Sequence, residues 1–145
     1  LQIAKDLGAD GAFNAKENWV ESVRAATGGS GVHSLLEMSG NVHAIRDGFS
    51  ALRNGGTAAM LGIPAGDISI DLTNQIIFKG ATVHGINGRK MFETWYQMEN
   101  LLLSNQINLD PIITHVIEME DFENGFKMMQ SGEAIKVVMK IPQLD

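Results

Sequence analysis

The sequence predicts an α/β fold built on a doubly wound parallel sheet, and three observations carry that expectation. Apolar runs such as Leu35-Leu36-Glu37-Met38 and Met60-Leu61 break off abruptly at Ser39-Gly40 and Gly62-Ile63-Pro64. Segments with helical spacing stand between those runs. The elements follow in the order β-α-β-α-β, then β, then β-α. Apolar runs alternating with amphipathic helices read as strands buried on both faces of a parallel sheet. In open sheets of this kind a ligand lies outside the carboxyl ends of the strands. Ser39-Gly40 and Gly62-Ile63-Pro64 are therefore the first candidates for a ligand-facing rim.

Taken in order, Leu1 to Leu7 reads as the end of a helix, with Ile3, Ala4 and Leu7 on one face and Gly8 as its stop. No strand precedes it and the chain opens without methionine, so it reads as the middle of a longer protein. Ala12-Phe13-Asn14 reads as a short edge strand. Glu17 to Thr27 has Val20, Val23 and Thr27 on one side of a helix, with Asn14 or Asn18 as caps and Gly28-Gly29 as the end. Gly31 turns the chain into a strand from Val32 to Met38.

Ile45, Phe49 and Leu52 have the spacing of a helix lying on a sheet, expected over Val42 to Arg53. Asn54-Gly55-Gly56 is a turn signal, and Thr57 to Ile63 the next buried strand. Ile68, Ile70 and Leu72 alternate with Ser69 and Asp71, which predicts a half-exposed strand. Leu72 to Phe78 reads as a short helix or an irregular link, and Ala81 to Ile86 as a further strand. Met91 to Ser104 carries Phe92, Trp95, Met98 and Leu102 on one helical stripe. Asp110-Pro111 marks a boundary. Ile112 to Ile117 reads as a strand and Asp121 as the cap of a helix closed by Gly132. Lys136 to Ile141 reads as a last strand. Phe92, Trp95, Phe122, Phe126 and the eight methionines read as core.

Composition narrows the function. The 145 residues suit one domain, and 44% hydrophobic with 19% charged residues suffices for a core. The net charge of −6, without a clustered basic stripe, argues against nucleic acid. No cysteine is present, which excludes thiolate metal sites and disulfides in this chain. No apolar run approaches a membrane span and no signal peptide is visible, so a cytoplasmic location is expected.

The motif search is largely negative. G-x-G-x-x-G, the Walker motif, H-E-x-x-H and G-x-S-x-G are absent. Gly28-Gly29-Ser30-Gly31 follows a helix and precedes a strand, the reverse of a phosphate cradle, and reads as a turn. His33, His43, His84 and His115 lack metal-ligand spacing and read as structural. Glu37, alone in an apolar strand, reads as a hydrogen-bonded structural carboxylate. Gly40 and Gly62 are either tight turns or places where backbone approaches a flat ligand; their pairing on neighbouring strands favours the ligand.

Several stretches resemble the L-threonine 3-dehydrogenases, a group within the zinc-dependent medium-chain dehydrogenases. They are Leu36-Glu37-Met38-Ser39-Gly40, Ala59-Met60-Leu61-Gly62-Ile63-Pro64, Ile77-Phe78-Lys79-Gly80 and Gly85-Ile86-Asn87-Gly88-Arg89. Met91-Phe92-Glu93-Thr94-Trp95-Tyr96, Pro111-Ile112-Ile113-Thr114-His115 and Phe122-Glu123-Asn124-Gly125-Phe126 extend the resemblance over the whole chain.

The resemblance is to the carboxyl-terminal part of that family. It implies a Rossmann-like sheet lacking its first two strands. Residues 1–110 would form a partial NAD-binding domain, and 111–145 a segment that packs back on the catalytic domain in relatives. NAD is the implied cofactor and L-threonine the implied substrate of the intact enzyme, with 2-amino-3-ketobutyrate as product. Zinc is implied for the intact enzyme alone, since its ligands are missing here.

Leu61, Gly62, Ile63, Ile86 and Asn87 are the positions expected near the nicotinamide. The family usually has an aromatic residue where Asn87 stands, so a backbone contact is what would carry over. Ser39 and Gly40 are expected as cofactor neighbours. Lys136 sits where relatives place a basic residue on the pyrophosphate, with a solvated surface lysine as the other reading. No catalytic residue is expected in this chain, and alone it should be inactive. A homo-oligomer through edge strands 68–72 and 81–86 is expected. The alternatives are a piece of another polyol or alcohol dehydrogenase, and a non-catalytic module that associates with itself.

Overall fold

The computed structural model describes residues 1–142 and divides them into two compact units. One spans Gly11–Arg89 together with Leu1; the other comprises Gln2–Asp10 and the chain from Lys90 onward.

The first unit is organised on a three-stranded parallel sheet of β1 (Val32–Glu37), β2 (Leu52–Met60) and β3 (Thr82–Gly85), in that spatial order. Two helices precede or join these strands: α2 (Trp19–Ala26) and α3 (Val42–Ala51). α3 is the crossover between β1 and β2. Asn41 caps it, its side-chain oxygen accepting the amides of His43 at 2.9 Å and Ala44 at 3.2 Å. Ile45 and Phe49 then meet Leu52 and Ala58 in the buried core, with Val32, Leu35, Met60, Ile68, Ile70, Ile76 and Ala81 packed around them.

The helix ends two residues earlier than its spacing predicts. Ala51 is the last helical residue, and Leu52 and Arg53 already belong to β2. Leu52, wholly buried, serves the core from the strand instead. The early stop is enforced from outside the helix. Lys79 extends its ammonium onto the carbonyls of Phe49 at 2.6 Å, Ser50 at 3.2 Å and Leu52 at 2.5 Å. Arg24 donates to the Ser50 carbonyl at 2.7 Å. Cations on the last carbonyls satisfy the groups a helix leaves unpaired and complement its dipole. Burial, then the Arg24 charge, pushes the Lys79 ammonium below its usual range. Replacing Lys79 by methionine should cost about 1–3 kcal/mol of stability, read as a lowered midpoint in urea with an unchanged slope.

Four further expectations are corrected. Asn54-Gly55-Gly56 lies within the bounds of β2 rather than between elements, as an irregularity. Val32 pairs with Leu52, and regular pairing resumes at Ser34 with Thr57. Ala12-Phe13-Asn14 forms no strand, because Asn14 starts a turn by accepting the Lys16 and Glu17 amides at 3.0 Å each. Ile68-Leu72 also forms no strand. Ile68 and Ile70 reach the core, and Arg46 Nε binds the Ser69 carbonyl at 2.7 Å where a ladder bond would lie. The link after it is a single π-helical turn, Thr73–Ile77. β1 is not buried on both faces either: Leu36 is 67% and Met38 57% exposed, since α3 covers one face of the strand.

The second unit carries α1 (Gln2–Asp6), α4 (Glu93–Leu103) and a strand-helix-strand unit. There β4 (Ile113–Glu118) pairs in parallel with β5 (Lys136–Lys140), and α5 (Phe122–Ser131) crosses between them. Gly132 ends α5, as the sequence predicts, and does so in the left-handed conformation at φ +79. Phe92, Trp95, Phe122 and Phe126 are exposed rather than core. They pair edge to face instead, Phe92 with Trp95 at 6.0 Å and Phe122 with Phe126 at 6.5 Å between ring centroids.

Candidate functional site

The carboxyl ends of β1 and β2 meet in a knot centred on Glu37. Its side chain accepts the Ser39 amide at 2.9 Å, the Ser39 hydroxyl at 2.5 Å and the Gly40 amide at 3.1 Å on both oxygens. Its own carbonyl accepts the amides of Leu61 at 2.9 Å and Gly62 at 3.1 Å. Ser39 Oγ in turn accepts the Asn41 amide at 3.1 Å, which ties the knot to the cap of α3. One residue thereby fixes the loops after both strands.

Glu37 is 4% exposed, so an ionised carboxylate is tenable there only because its oxygens are occupied. Burial pushes its carboxyl upward. The hydrogen bonds from the Ser39 hydroxyl and the Gly40 and Ser39 amides outweigh that and hold it below the usual range. A depressed carboxylate contributes stability above its unfolded value, about 4.3, and loses it as pH falls through the lower folded value. Thermal melts across that acidic window should therefore show the native chain converging on a Glu37→Gln variant, with the native advantage greatest toward neutrality.

The two glycines serve this knot. Gly40 has φ +67, and a Cβ there would overlap the Ile63 backbone. A Cβ on Gly62 would overlap the Gly40 amide and stand 2.5 Å from Glu37 Oε2. Backbone thus lies on backbone, and the space each glycine frees is filled by the other loop. What the rim presents outward is apolar: Ile63 is 90% exposed, and Leu61 and Ile86 are also exposed. The Ile86 amide is held by the Met60 carbonyl at 2.9 Å, so β3 reaches the same edge, with Asn87 exposed beyond it.

Of the residues predicted for the site, the fold brings Ser39, Gly40, Leu61, Gly62, Ile63, Ile86 and Asn87 to one edge of one sheet. Lys136 opens β5 in the second unit, in register with Ile113. Sequence reasoning singled out Glu37 but not its hold on Leu61 and Gly62, and it missed Asn41. Asparagine immediately before an apolar-periodic helix is a cap signal that would have found Asn41. Nothing in the sequence pairs Glu37 with a glycine on the next strand.

The model of the zinc-binding dehydrogenase family matches residues 1–104. The chain belongs to that family. It is 46% identical over 140 residues to an L-threonine 3-dehydrogenase of Bacillus velezensis, covering 96% of this chain and 40% of that protein. It is 42% identical over 142 residues to the L-threonine 3-dehydrogenase of Pyrococcus abyssi, covering 97% and 41%. Among solved structures it superposes on an alcohol dehydrogenase zinc-binding domain protein of Burkholderia ambifaria with a TM-score of 0.85 and 29% identity. That match covers 99% of this chain and 39% of the other. The chain therefore spans about 40% of the length of the curated relatives it matches.

The family's two implied groups fit this chain differently. A rigid apolar edge at the carboxyl ends of parallel strands suits the flat nicotinamide end of NAD. Zinc has no such fit. Among the described residues no three His, Cys, Asp or Glu side chains are grouped to hold a metal, and the sequence has no cysteine. No helix among the described residues is long and apolar enough to cross a membrane.

Proposed function

We propose that this chain is the carboxyl-terminal piece of an NAD-dependent, zinc-dependent L-threonine 3-dehydrogenase acting in the cytoplasm, and that it supplies one wall of the nicotinamide site. The observation carrying this is the Glu37 knot: it holds an exposed Leu61-Gly62-Ile63 edge beside Ile86 at the end of a parallel sheet. The likeness to threonine dehydrogenases over nearly the whole chain supports L-threonine as the substrate of the intact enzyme.

Bound at this edge, NAD would supply the hydride acceptor for the carbon bearing the threonine hydroxyl, the hydroxyl proton leaving to solvent as the 3-keto product, 2-amino-3-ketobutyrate, forms. The chain's own task is orientation. Leu61, Ile63 and Ile86 offer apolar side chains to a flat ring. The amides of Leu61, Gly62 and Ile86 are committed within the sheet. The ring's carboxamide would therefore be met by other backbone groups of this edge, those of Ile63 and Asn87 among them. Holding the ring in one pose is worth several orders of magnitude in rate. Ser39 and Gly40 keep that edge in place. Residues 1–110 form the cofactor-binding part, and 111–145 the segment that returns to the catalytic domain.

The isolated chain, without zinc ligands or a phosphate-binding fingerprint, has no dehydrogenase activity and binds NAD weakly. A calorimetric titration of NAD into the chain and into the intact enzyme tests the assignment. An Ile63→Asp variant of the intact enzyme should bind NAD at least tenfold more weakly while its fold is kept. Unchanged affinity in that variant would place the nicotinamide elsewhere.

β3 is the outer strand of its sheet and its four residues are exposed. An unpaired strand edge favours a second copy, so a homodimer through 81–86 is part of this reading, and 68–72 takes no strand role in it. Light scattering at rising concentration should show mass increasing toward twice that of the monomer.

A further inference from the structure

The opposite end of the same sheet holds a cationic pocket that the dehydrogenase reading leaves unused. A cavity of about 440 Å³ is lined by Arg24, Gly29, Ser30, Leu52, Arg53 and Asn54. Two of these six are arginines and none is acidic, in a chain whose net charge is −6. The ion pairs among the described residues, Lys90 with Glu93 and Lys140 with Glu118, involve neither arginine.

Arg53 is half-buried and its Nε is fully buried with no hydrogen-bond partner. A buried donor on a charged group left unpaired costs more than most single contacts return, and such a group calls for an explanation. The early end of α3 creates this arrangement by placing Arg53 in the irregular start of β2, beside the Gly29-Ser30 turn. Arg24 is anchored there by its bond to the Ser50 carbonyl, which Lys79 also binds.

We propose that this pocket binds a phosphate-class dianion, held by the Arg24 and Arg53 guanidiniums with the Ser30 hydroxyl and the Asn54 amide completing the donor set. Two guanidinium forks match a tetrahedral dianion in charge and in donor geometry. The Ser30 and Asn54 side chains add donors that a single carboxylate does not use up. The Lys79 ammonium, close enough to Arg24 for each to feel the other's charge, adds a third cation that a dianion relieves. The glycine-rich turn lines the pocket without cradling the anion on a helix end; the cations do the binding. The site lies at the amino ends of β1 and β2. It is roughly 20 Å from the nicotinamide edge, the length of a six-residue strand, and does not depend on the cofactor assignment.

The test is a titration of inorganic phosphate into the ¹⁵N-labelled chain, with sodium chloride and sodium acetate at matched ionic strength as the other arms. The expected result is a saturable shift of the Arg53 Nε–H, Ser30 and Asn54 resonances with phosphate alone. Arg53→Met should weaken it about tenfold or more, the equivalent of one lost charged hydrogen bond. Arg53→Lys, which keeps the charge but loses the fork, should fall between. Equal shifts with chloride mean an adventitious ion only and overturn the proposal. Equal shifts with acetate overturn the dianion assignment. Saturable binding that survives in both Arg53 variants places the anion elsewhere.

Discussion

Replacing Gly40 by alanine should lower the stability of the chain by about 2–5 kcal/mol. The left-handed backbone costs an L-residue roughly 1–2 kcal/mol, and overpacking against a fixed backbone roughly 1–3 kcal/mol more. Both terms apply at this position: φ is +67, and the added Cβ meets the nitrogen, carbon and oxygen of Ile63. No flexible side chain is there to move aside. Gly62→Ala should be nearly as severe through the packing term alone, since its Cβ meets the Gly40 backbone and the Glu37 carboxylate. Urea denaturation of both variants checks this. A control is Gly66→Ala, where a Cβ has nothing within 4 Å, and it should change stability by less than about 0.5 kcal/mol. Loss confined to the first two would establish that the rim glycines serve loop-on-loop contact.

Glu37→Ala is the second large effect, at about 3 kcal/mol or more. Removing the carboxylate leaves the buried Gly40 amide without its acceptor, costing roughly 1–3 kcal/mol, and strips the Ser39 amide of a part-buried bond at a smaller cost. It also frees the Ser39 hydroxyl, which binds the Asn41 amide, so the cap of α3 should loosen with it. Glu37→Gln keeps one acceptor and should cost less. Hydrogen exchange gives the sharper readout. The amides of Ser39, Gly40 and Asn41 should lose protection in Glu37→Ala. The amides of Leu61 and Gly62 bond to the Glu37 backbone carbonyl and should lose less.

These effects show which parts of the molecule a single sequence reveals. The strands of the first sheet were legible because β1 and β2 break off at glycine and proline signals beside a helix of clear period. The stripe Ile45, Phe49 and Leu52 predicted the right core residues but the wrong boundary. Periodicity cannot register Lys79, more than twenty-five residues away, stopping the helix from outside. Ile68 to Leu72 alternates like a strand, yet alternation records only which side chains are buried. Arg46 takes the backbone bond that would make it one. The aromatic stripe of α4 predicted burial that this unit does not provide, because an apolar face shows what a helix can pack against and not whether that partner is at hand.

The role of Glu37 as a bonded structural carboxylate was visible from its setting, alone among apolar neighbours near a strand end. Two features lay beyond the sequence. The glycines look like room for a ligand, and the fold fills that room with backbone. The Arg24 and Arg53 pair lies twenty-nine positions apart and meets only because β2 begins beside the Gly29-Ser30 turn.

As proposed, this chain belongs to an enzyme that oxidises L-threonine with NAD, and it contributes the nicotinamide wall without chemistry of its own. The most direct measurement is NADH formation, followed by absorbance, with L-threonine and with 2,3-butanediol. It should be made on the intact enzyme, on its Gly62→Ala variant and on the 145-residue chain. Turnover of threonine should run well above that of butanediol in the intact enzyme, fall sharply in the Gly62 variant and be absent from the chain alone. Turnover by the isolated chain, or an intact enzyme that favours butanediol over threonine, would contradict the proposal.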